Sequence, residues 1–539
     1  MLRAFPIDPV VLAPALGLCA ALVAACWIVG RMLGRDAPGS LWPVATALAV
    51  ALCALFALEV FNLPIWNDEF EHVRSAWLIS QGQVPYRDFW QHHPPGLWLA
   101  LAPLVGALPQ SVVALWGVRV LSLAAIGWSV VVAGVRTPPL IGQGLPRRRA
   151  LVCAALLAAC VPTAQLGPIV RAETLAGLLL VWGVVFGLKG LRGRGGAMLL
   201  SGLLVGGAVA LTPKFVPLAV AWPLGVLLGA SRAKARRQLG PLALWLAGCV
   251  APVVALGAWL QCAGVLREAL YWTFTFNQPQ GGPARIGHLA AVLASLAPLA
   301  GLWGVGLRDL RARGSIPETR LMVALALGAA AGLLAAPIYW PYSAWALVLV
   351  LLPVGVRGLE LVLDGPPAVT GRAVGATRPA APLRPLMSVL ALLALLSFGE
   401  VGLNLECLII RGPGAFVRDS AEVQELIEEG QGRSVLAIVP AHPIYCRDAT
   451  AIWHPWQLFR GGPEGPLHGQ VLAAARALAA GVPDLVGAKA ADKIIALAGD
   501  PVLATRWERQ KRDAYHPVLD DRFWAKGLSS DGPSRTRPR

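Results

Sequence analysis

Residues 67–98 read NDEFEHVRSAWLISQGQVPYRDFWQHHPPGLW. The acids Asp68, Glu69, Glu71 and Asp88, the histidines His72, His92 and His93, and the arginines Arg74 and Arg87 crowd into one short stretch. Apolar runs flank it, at 41–62 before and at 97–109 and 111–135 after. Ionisable groups held beside hydrocarbon are costly to desolvate, so such a cluster marks a functional segment before it marks anything else.

The surrounding chain sets the class. Of 539 residues, 56% are hydrophobic and 14% charged. Soluble domains carry about 25% charged residues, so this is a polytopic membrane protein. Apolar runs approach the roughly 20 residues that a helix needs to cross a bilayer. Spans are expected near 10–30, 41–62, 111–135, 150–166, 173–190, 197–212, 215–230, 240–261, 288–307, 320–337, 343–362 and 386–405. The run 97–109 is too short to cross and reads as a re-entrant or interfacial piece. The net charge of +16 would suit nucleic acid, but the Lys and Arg fall in short inter-span loops. There they act as topology signals and contacts to anionic membrane lipids, which excludes a nucleic-acid partner.

Loop charge orients the chain. Arg31 and Arg35, Arg136 and Arg147 to Arg149, Lys189 to Arg194, Arg232 to Arg237, Arg308 to Arg320 and Arg357 to Arg384 lie on one side. The loops between spans on the other side hold Arg74, Arg87, Arg171, Lys214, Arg267 and Arg285. The positive-inside rule makes the first side cytoplasmic, so 63–96 and everything after 406 face outward. This requires the first apolar segment to be retained, although Val23-Ala24-Ala25-Cys26 looks like a lipoprotein cleavage box.

The expected organisation is a membrane domain at 1–406, with 63–96 as its outward loop, a small α/β domain at 411–528, and a disordered tail at 529–539. Within the second domain, Ala421–Glu429 and Gly469–Ala480 read as helices, and Ser434–Val439 and Lys493–Ala498 as strands. An outward location would admit a Cys407–Cys446 disulfide, which spacing alone does not establish.

Inside the loop, Asn67 reads as a helix N-cap with Asp68, Glu69 and Glu71 in the first turn, where carboxylates suit the helix dipole. Phe70, Val73 and Trp77 form an apolar stripe for a helix lying on the membrane surface. His72 shares a face with Asp68 and Glu69 and can adjust their basicity. Pro85-Tyr86-Arg87-Asp88-Phe89-Trp90 reads as a rigid aromatic turn. Adjacent His92 and His93 could ligate a metal, but neighbours on an extended chain point apart and no ligand spacing accompanies them. Bonding to phosphate or sugar suits them better, and no metal or other cofactor is indicated.

The order Asp68-Glu69, then Gly82-Gln83-Val84-Pro85-Tyr86-Arg87-Asp88-Phe89, then His93-Pro94-Pro95 resembles the first extracytoplasmic loop of GT-C membrane glycosyltransferases. The likeness is to their family 39-like group, which includes protein mannosyltransferases and aminoarabinose transferases. His93 stands where many members carry Lys. Arg119-Val120-Leu121-Ser122 is similar to an Arg-Leu-x-Ser element of these enzymes. Glu173, beside Arg171, matches their second acidic position, and Lys214 in Thr212-Pro213-Lys214-Phe215 matches a Thr-Lys-like turn. From the residues alone, Arg119 reads equally as a snorkelling side chain. Arg171 and Glu173 read as an ion pair at a helix start, and Lys214 as a headgroup contact.

The resemblance implies an all-α membrane domain of about twelve spans with the α/β domain outside the membrane. It implies transfer of a sugar from a polyprenyl-phosphate donor to a lipid, glycan or protein acceptor, with inversion, in a bacterial inner membrane. Asp68 would be the general base. Glu69 or Glu173 would orient hydroxyls, and His72, Tyr86, Arg87 and Asp88 would line the substrate. Arg119, Lys214 and His92 or His93 would face the phosphate, and Arg171 would contact substrate. A transporter or flippase would also have about twelve spans, but it would place charges at mid-bilayer in broken helices, often with inverted halves. A catalytically dead relative that only binds lipid is a third reading.

Overall fold

The computed structural model describes residues 9–33, 41–167, 169–228, 232–277, 283–314, 316–336, 340–364, 399, 401–410, 412–439, 441–519 and 522–526. The expected tail, most of the span at 386–405 and the loop 278–282 lie outside the described residues.

The chain divides into two compact units. The first comprises residues 1–64, 92–97 and 118–415, and the second comprises 65–91, 98–117 and 416–539. These boundaries differ from the sequence partition: most of the acidic loop is grouped with the C-terminal segment.

The first unit is helical. It contains α1 (Pro9–Leu33) and α2 (Trp42–Asn62). After α3 (Asn67–Ser80) and α4 (Gly96–Ala107), which belong largely to the second unit, come α5 (Val113–Val131), α6 (Arg147–Ala158), α7 (Val161–Leu166) and α8 (Ala172–Gly190). Next are α9 (Gly195–Leu211), α10 (Val216–Leu227), α11 (Arg232–Cys262), α12 (Leu266–Leu270), α13 (Pro283–Ala312), α14 (Ile316–Leu334), α15 (Trp345–Asp364) and α16 (Val401–Ile410). Among the described residues, six helical segments are long and apolar enough to cross a membrane: Trp42–Asn62, Val113–Ile141, Ala172–Gly190, Arg236–Cys262, Leu289–Ala312 and Pro341–Asp364. The run expected as one span at 150–166 is broken into α6 and α7 around Ala159 and Cys160, just before Pro162. The short run 97–109 forms α4, which at 1.5 Å per residue is about 18 Å long, less than a bilayer core.

Small residues set the helix packing. Helix α9 lies against α8 and α11. A Cβ on Gly202 would fall 2.0 Å from the Trp245 carbonyl oxygen, and one on Gly206 would fall 2.1 Å from that of Cys249. The two glycines are one turn apart on one face, the spacing that lets apolar helices touch backbone to backbone. Gly206→Leu is therefore expected to lower the melting temperature of the detergent-solubilised protein, by the roughly 1–3 kcal/mol typical of overpacking. Gly257→Ala on the same α11 helix, with open space around its Cβ direction, should leave it unchanged. Equal melting curves for the two variants would show that α9 and α11 do not pack this closely.

The second unit is built on a five-stranded sheet of order β2-β1-β3-β5-β4. Its elements are α17 (Ala415–Gly430), β1 (Ser434–Leu436), β2 (Arg447–Asp448), α18 (Pro455–Phe459), α19 (His468–Ala479), β3 (Leu485–Gly487), α20 (Ala488–Ala498), α21 (Pro501–Ala514), β4 (Tyr515–Val518) and β5 (Phe523–Lys526). Strands β2, β1 and β3 are parallel, and β5 runs antiparallel to β3 and β4. Side chains alternate across a strand. Leu436 and Val486 accordingly join one core with Val471, Ile494 and Trp507, while Val435 and Leu485 join another with Leu426 and Phe523. Both faces are covered, as parallel strands require.

One sequence expectation fails here. Lys493–Ala498 is the end of helix α20, not a strand. Its apparent alternation is part of a longer helical period, with Ala490, Ala491, Ile494 and Ala498 buried on one side. The Cys407–Cys446 bridge is not formed either. Cys446 is a free thiol, while Cys407 packs with Leu63, Ala164 and Leu403 in the first unit.

Candidate functional site

Helix α3 carries the acidic pair. Its N-cap is Trp66, one residue before the expected Asn67. Indole cannot accept from the first-turn amides, and the reciprocal bond comes from Glu69, whose Oε2 accepts from the Trp66 backbone N–H at 3.0 Å. Glu69 is fully buried, whereas Asp68 is half-buried. The two acids are thus differentiated: Glu69 holds the helix start, and Asp68 is the more accessible carboxylate.

The remainder of α3 does not lie on a lipid surface. Glu69 through Ala76 are all buried, because the polar side chains find partners within the second unit. Glu71 lies 3.1 Å from His454 Nε2. Gln91 donates to Ser75. The Trp98 indole donates to His72 Nδ1 at 3.1 Å, which leaves the His72 proton on Nε2 when the ring is neutral. Arg74 is 1% exposed and donates to the Ile444 and Cys446 carbonyls and, at 2.5 Å, to Asp448 Oδ2.

Around Asp448 the charges are ordered. His442 Nε2 sits 2.9 Å from Asp448 Oδ1. Burial, helped by the Arg74 guanidinium, pushes the His442 pKa down to about 4. Burial works against the Asp448 carboxylate, but Arg74 and His442 together hold its pKa below the usual range. Burial pushes the Cys446 thiol up to about 12. Because His442 and Asp448 bind protons more weakly folded than unfolded, acid favours unfolding. Stability of this unit should be full above pH 6.5 and should fall as pH drops through about 4. A melting series in tryptophan fluorescence should show this decline, and His442→Gln should flatten its upper part. A pH-independent melting point would refute the charge assignment.

The Pro85–Trp90 turn is held by its own residues. Asp88 Oδ2 accepts from the Val84 N–H at 2.7 Å, and both Asp88 oxygens accept from Arg87. The Arg87 hydrogen bond holds the Asp88 carboxyl below its ordinary value. Tyr86 sits at φ 69°, a left-handed conformation rare for an aromatic residue, with its N–H bonded to the Phe89 carbonyl. Asp88 thereby shapes the turn, and exposed Arg87 braces it.

In the first unit, the His92 and His93 rings lie side by side, with centroids 4.0 Å apart, rather than on opposite sides of the chain. The His92 carbonyl accepts from Asn277 at 2.5 Å. Arg119 is fully buried and donates to the carbonyls of Val60, Leu63 and Pro64 at 3.2, 2.8 and 2.8 Å. These lie at the end of α2, where helix carbonyls lack partners, so Arg119 caps that helix.

Three of the sequence candidates meet. Arg171 is the N-cap residue of α8 and Glu173 lies in its first turn. Lys214 sits in the Pro213–Phe215 turn between α9 and α10. Lys214 Nζ lies 2.5 Å from Glu173 Oε1, and Arg171 Nε lies 3.9 Å from Glu173 Oε2. Tyr342, just before α15, joins them: Arg171 donates to its hydroxyl at 2.6 Å and stacks over its ring, and Lys214 lies 5.6 Å from the ring centre. Two cations, Lys214 and Arg171, thus flank the Glu173 carboxylate. Tyr342 was missed in the sequence because its short loop, Trp340-Pro341-Tyr342, bears no charge. Glu71, Arg74, His442, Asp448 and His454 were missed as a group, because nothing local links the acidic loop to residues beyond 440.

No protein-family model matches the sequence, and no curated protein matches it. Solved structures do. ArnT from Cupriavidus metallidurans bound to undecaprenyl phosphate is similar at 15% identity and TM-score 0.55, over 90% of this chain and 99% of that one. The apo form of the same protein gives 15% identity and TM-score 0.56, over 90% of this chain and 98% of that one. The apo oligosaccharyltransferase of Archaeoglobus fulgidus, at 12% identity and TM-score 0.49 over 92% and 76% of the chains, is too slight a likeness to carry an argument. The chain thus shares the fold of ArnT, a structure of the kind the acidic loop's resemblance implied.

Proposed function

We propose that this protein is a membrane glycosyltransferase that moves a sugar from a polyprenyl-phosphate donor to an acceptor hydroxyl on the outer face of a bacterial inner membrane. The observation that carries the reading is the Lys214–Glu173–Arg171–Tyr342 cluster, at the ends of helices in a chain with this fold. A lipid-linked phosphate gains charge as its bond to the anomeric carbon breaks, and preorganised cations lower the energy of that transition state. Lys214 and Arg171 fill this role. Glu173 keeps both cations in place and orients hydroxyls.

Asp68 is the base. An acceptor hydroxyl needs its proton removed as it attacks, and Asp68 is the more exposed carboxylate of the pair. The phosphate leaves without a general acid. One base and one displacement invert the anomeric carbon. Glu69 and the Asp88-stabilised turn set the shape around Asp68. His92 or His93 contacts phosphate or sugar.

The test uses purified full-length protein with synthetic polyprenyl-phosphate sugars. Free polyprenyl phosphate and a glycosylated acceptor of inverted anomeric configuration are expected by mass spectrometry and NMR. Donor that crosses proteoliposome membranes faster but stays chemically intact would replace this reading with a flippase. Mass spectrometry of envelope lipids and glycans with and without the protein would then name the sugar and acceptor.

A further inference from the structure

We infer that Arg74 is a positioning residue for this reaction: seated on Asp448, it fixes the helix bearing Asp68 to the C-terminal sheet and makes that sheet part of the catalytic apparatus. The inference rests on the assignment of Asp68 as base. Arg74 lies six residues after Asp68 on α3, about 9 Å along a rigid helix. It is among the most deeply buried side chains in the protein. Its guanidinium takes the Ile444 and Cys446 carbonyls and the Asp448 carboxylate at once. Asp448 ends β2, whose parallel pairing with β1 anchors it in the sheet, and His442 holds its other oxygen. The same helix gains a second link one turn earlier, from Glu71 to His454.

A bare helix-to-sheet contact needs only apolar packing. A forked cation with three fixed acceptors additionally sets rotation and translation, which is what a base must have relative to a proton. The ligand atoms of His442, Cys446 and Asp448 also come within 4.8 Å of one another, the spacing of a small cation site. The Arg74 guanidinium already neutralises the carboxylate there, and burial keeps the thiol protonated. A guanidinium-centred latch therefore fits the cluster better than a metal.

The test compares Arg74→Lys, Asp448→Asn and the double variant as full-length protein in detergent, with Asp68→Asn alongside. Arg74→Lys keeps the charge but loses the fork. Expected is a fall in kcat of about 100-fold, the scale of a displacement near 1 Å, with donor KM within about twofold. The double variant should be no worse than the poorer single one, since both break one latch. Retained kcat in Arg74→Lys and Asp448→Asn, while Asp68→Asn is inactive, would overturn the inference and leave the base standing. Full activity of Asp68→Asn would remove the base assignment itself. Loss that tracks only the unfolded fraction, or failure of both single variants to fold, would reduce Arg74 to a structural residue. Stoichiometric zinc that is lost in Cys446→Ala would make the cluster a metal site instead.

Discussion

Asp68→Asn should lower sugar transfer by about 100- to 10,000-fold, the range attributed to a positioned general base. Asparagine keeps the size of the side chain at the start of α3 but cannot take a proton. The neighbouring substitution supplies the contrast. Glu69 accepts from the Trp66 amide. A glutamine side chain retains an oxygen for that bond, so Glu69→Gln should cost far less. Single-turnover measurements with a polyprenyl-phosphate sugar would separate the chemical step from product release. Equal losses in the two variants would mean that neither acid acts alone as base. A larger loss in Glu69→Gln would transfer the role to Glu69.

Lys214→Met carries the second large effect. Removing a preorganised cation from a developing phosphate should lower kcat by about 100- to 1,000-fold. The same change also strands Glu173, which is 8% exposed and would keep only Arg171 at 3.9 Å. Breaking a buried pair by removing one partner can cost about 3 kcal/mol of stability. The double variant Lys214→Met with Glu173→Gln disentangles the two. Its melting temperature should recover in part, because Glu173 no longer stands as a buried charge deprived of Lys214, while its transfer rate should not. Recovery of both would show that Lys214 serves only to neutralise Glu173.

The membrane helices were legible because hydropathy is a local signal. The runs at 41–62, 173–190 and 343–362 became α2, α8 and α15 nearly residue for residue. Where a run was read too simply, backbone chemistry was responsible: Pro162 follows the break between α6 and α7, and the short Lys493–Ala498 alternation belonged to a helical period. The acidic loop could be recognised by motif order, yet its environment could not. Its apolar stripe, Phe70 with Val73, suggested a helix floating on lipid. In the structure it is enclosed, because Glu71 and Arg74 find His454 and Asp448 hundreds of positions later. Arg119 shows the same limit in miniature. An arginine followed by Val-Leu-Ser matched a family element, but its hydrogen bonds go to the end of α2, a role set by where that helix stops.

The pairing of Arg74 with Asp448 spans 374 positions in the chain. A ribosome adding roughly 5–20 residues each second needs on the order of half a minute to cover that distance. Throughout that interval the newly made loop carries an arginine, an acid and a helix without the sheet that will enclose them. If Asp68 is the base as proposed, biogenesis has an order: the membrane bundle can assemble as it is inserted, but the helix bearing Asp68 gains its Arg74–Asp448 contact only after β2 has been synthesised and folded. Premature termination anywhere before residue 448 would yield an inserted protein without that contact and, under the proposed assignment, without sugar transfer.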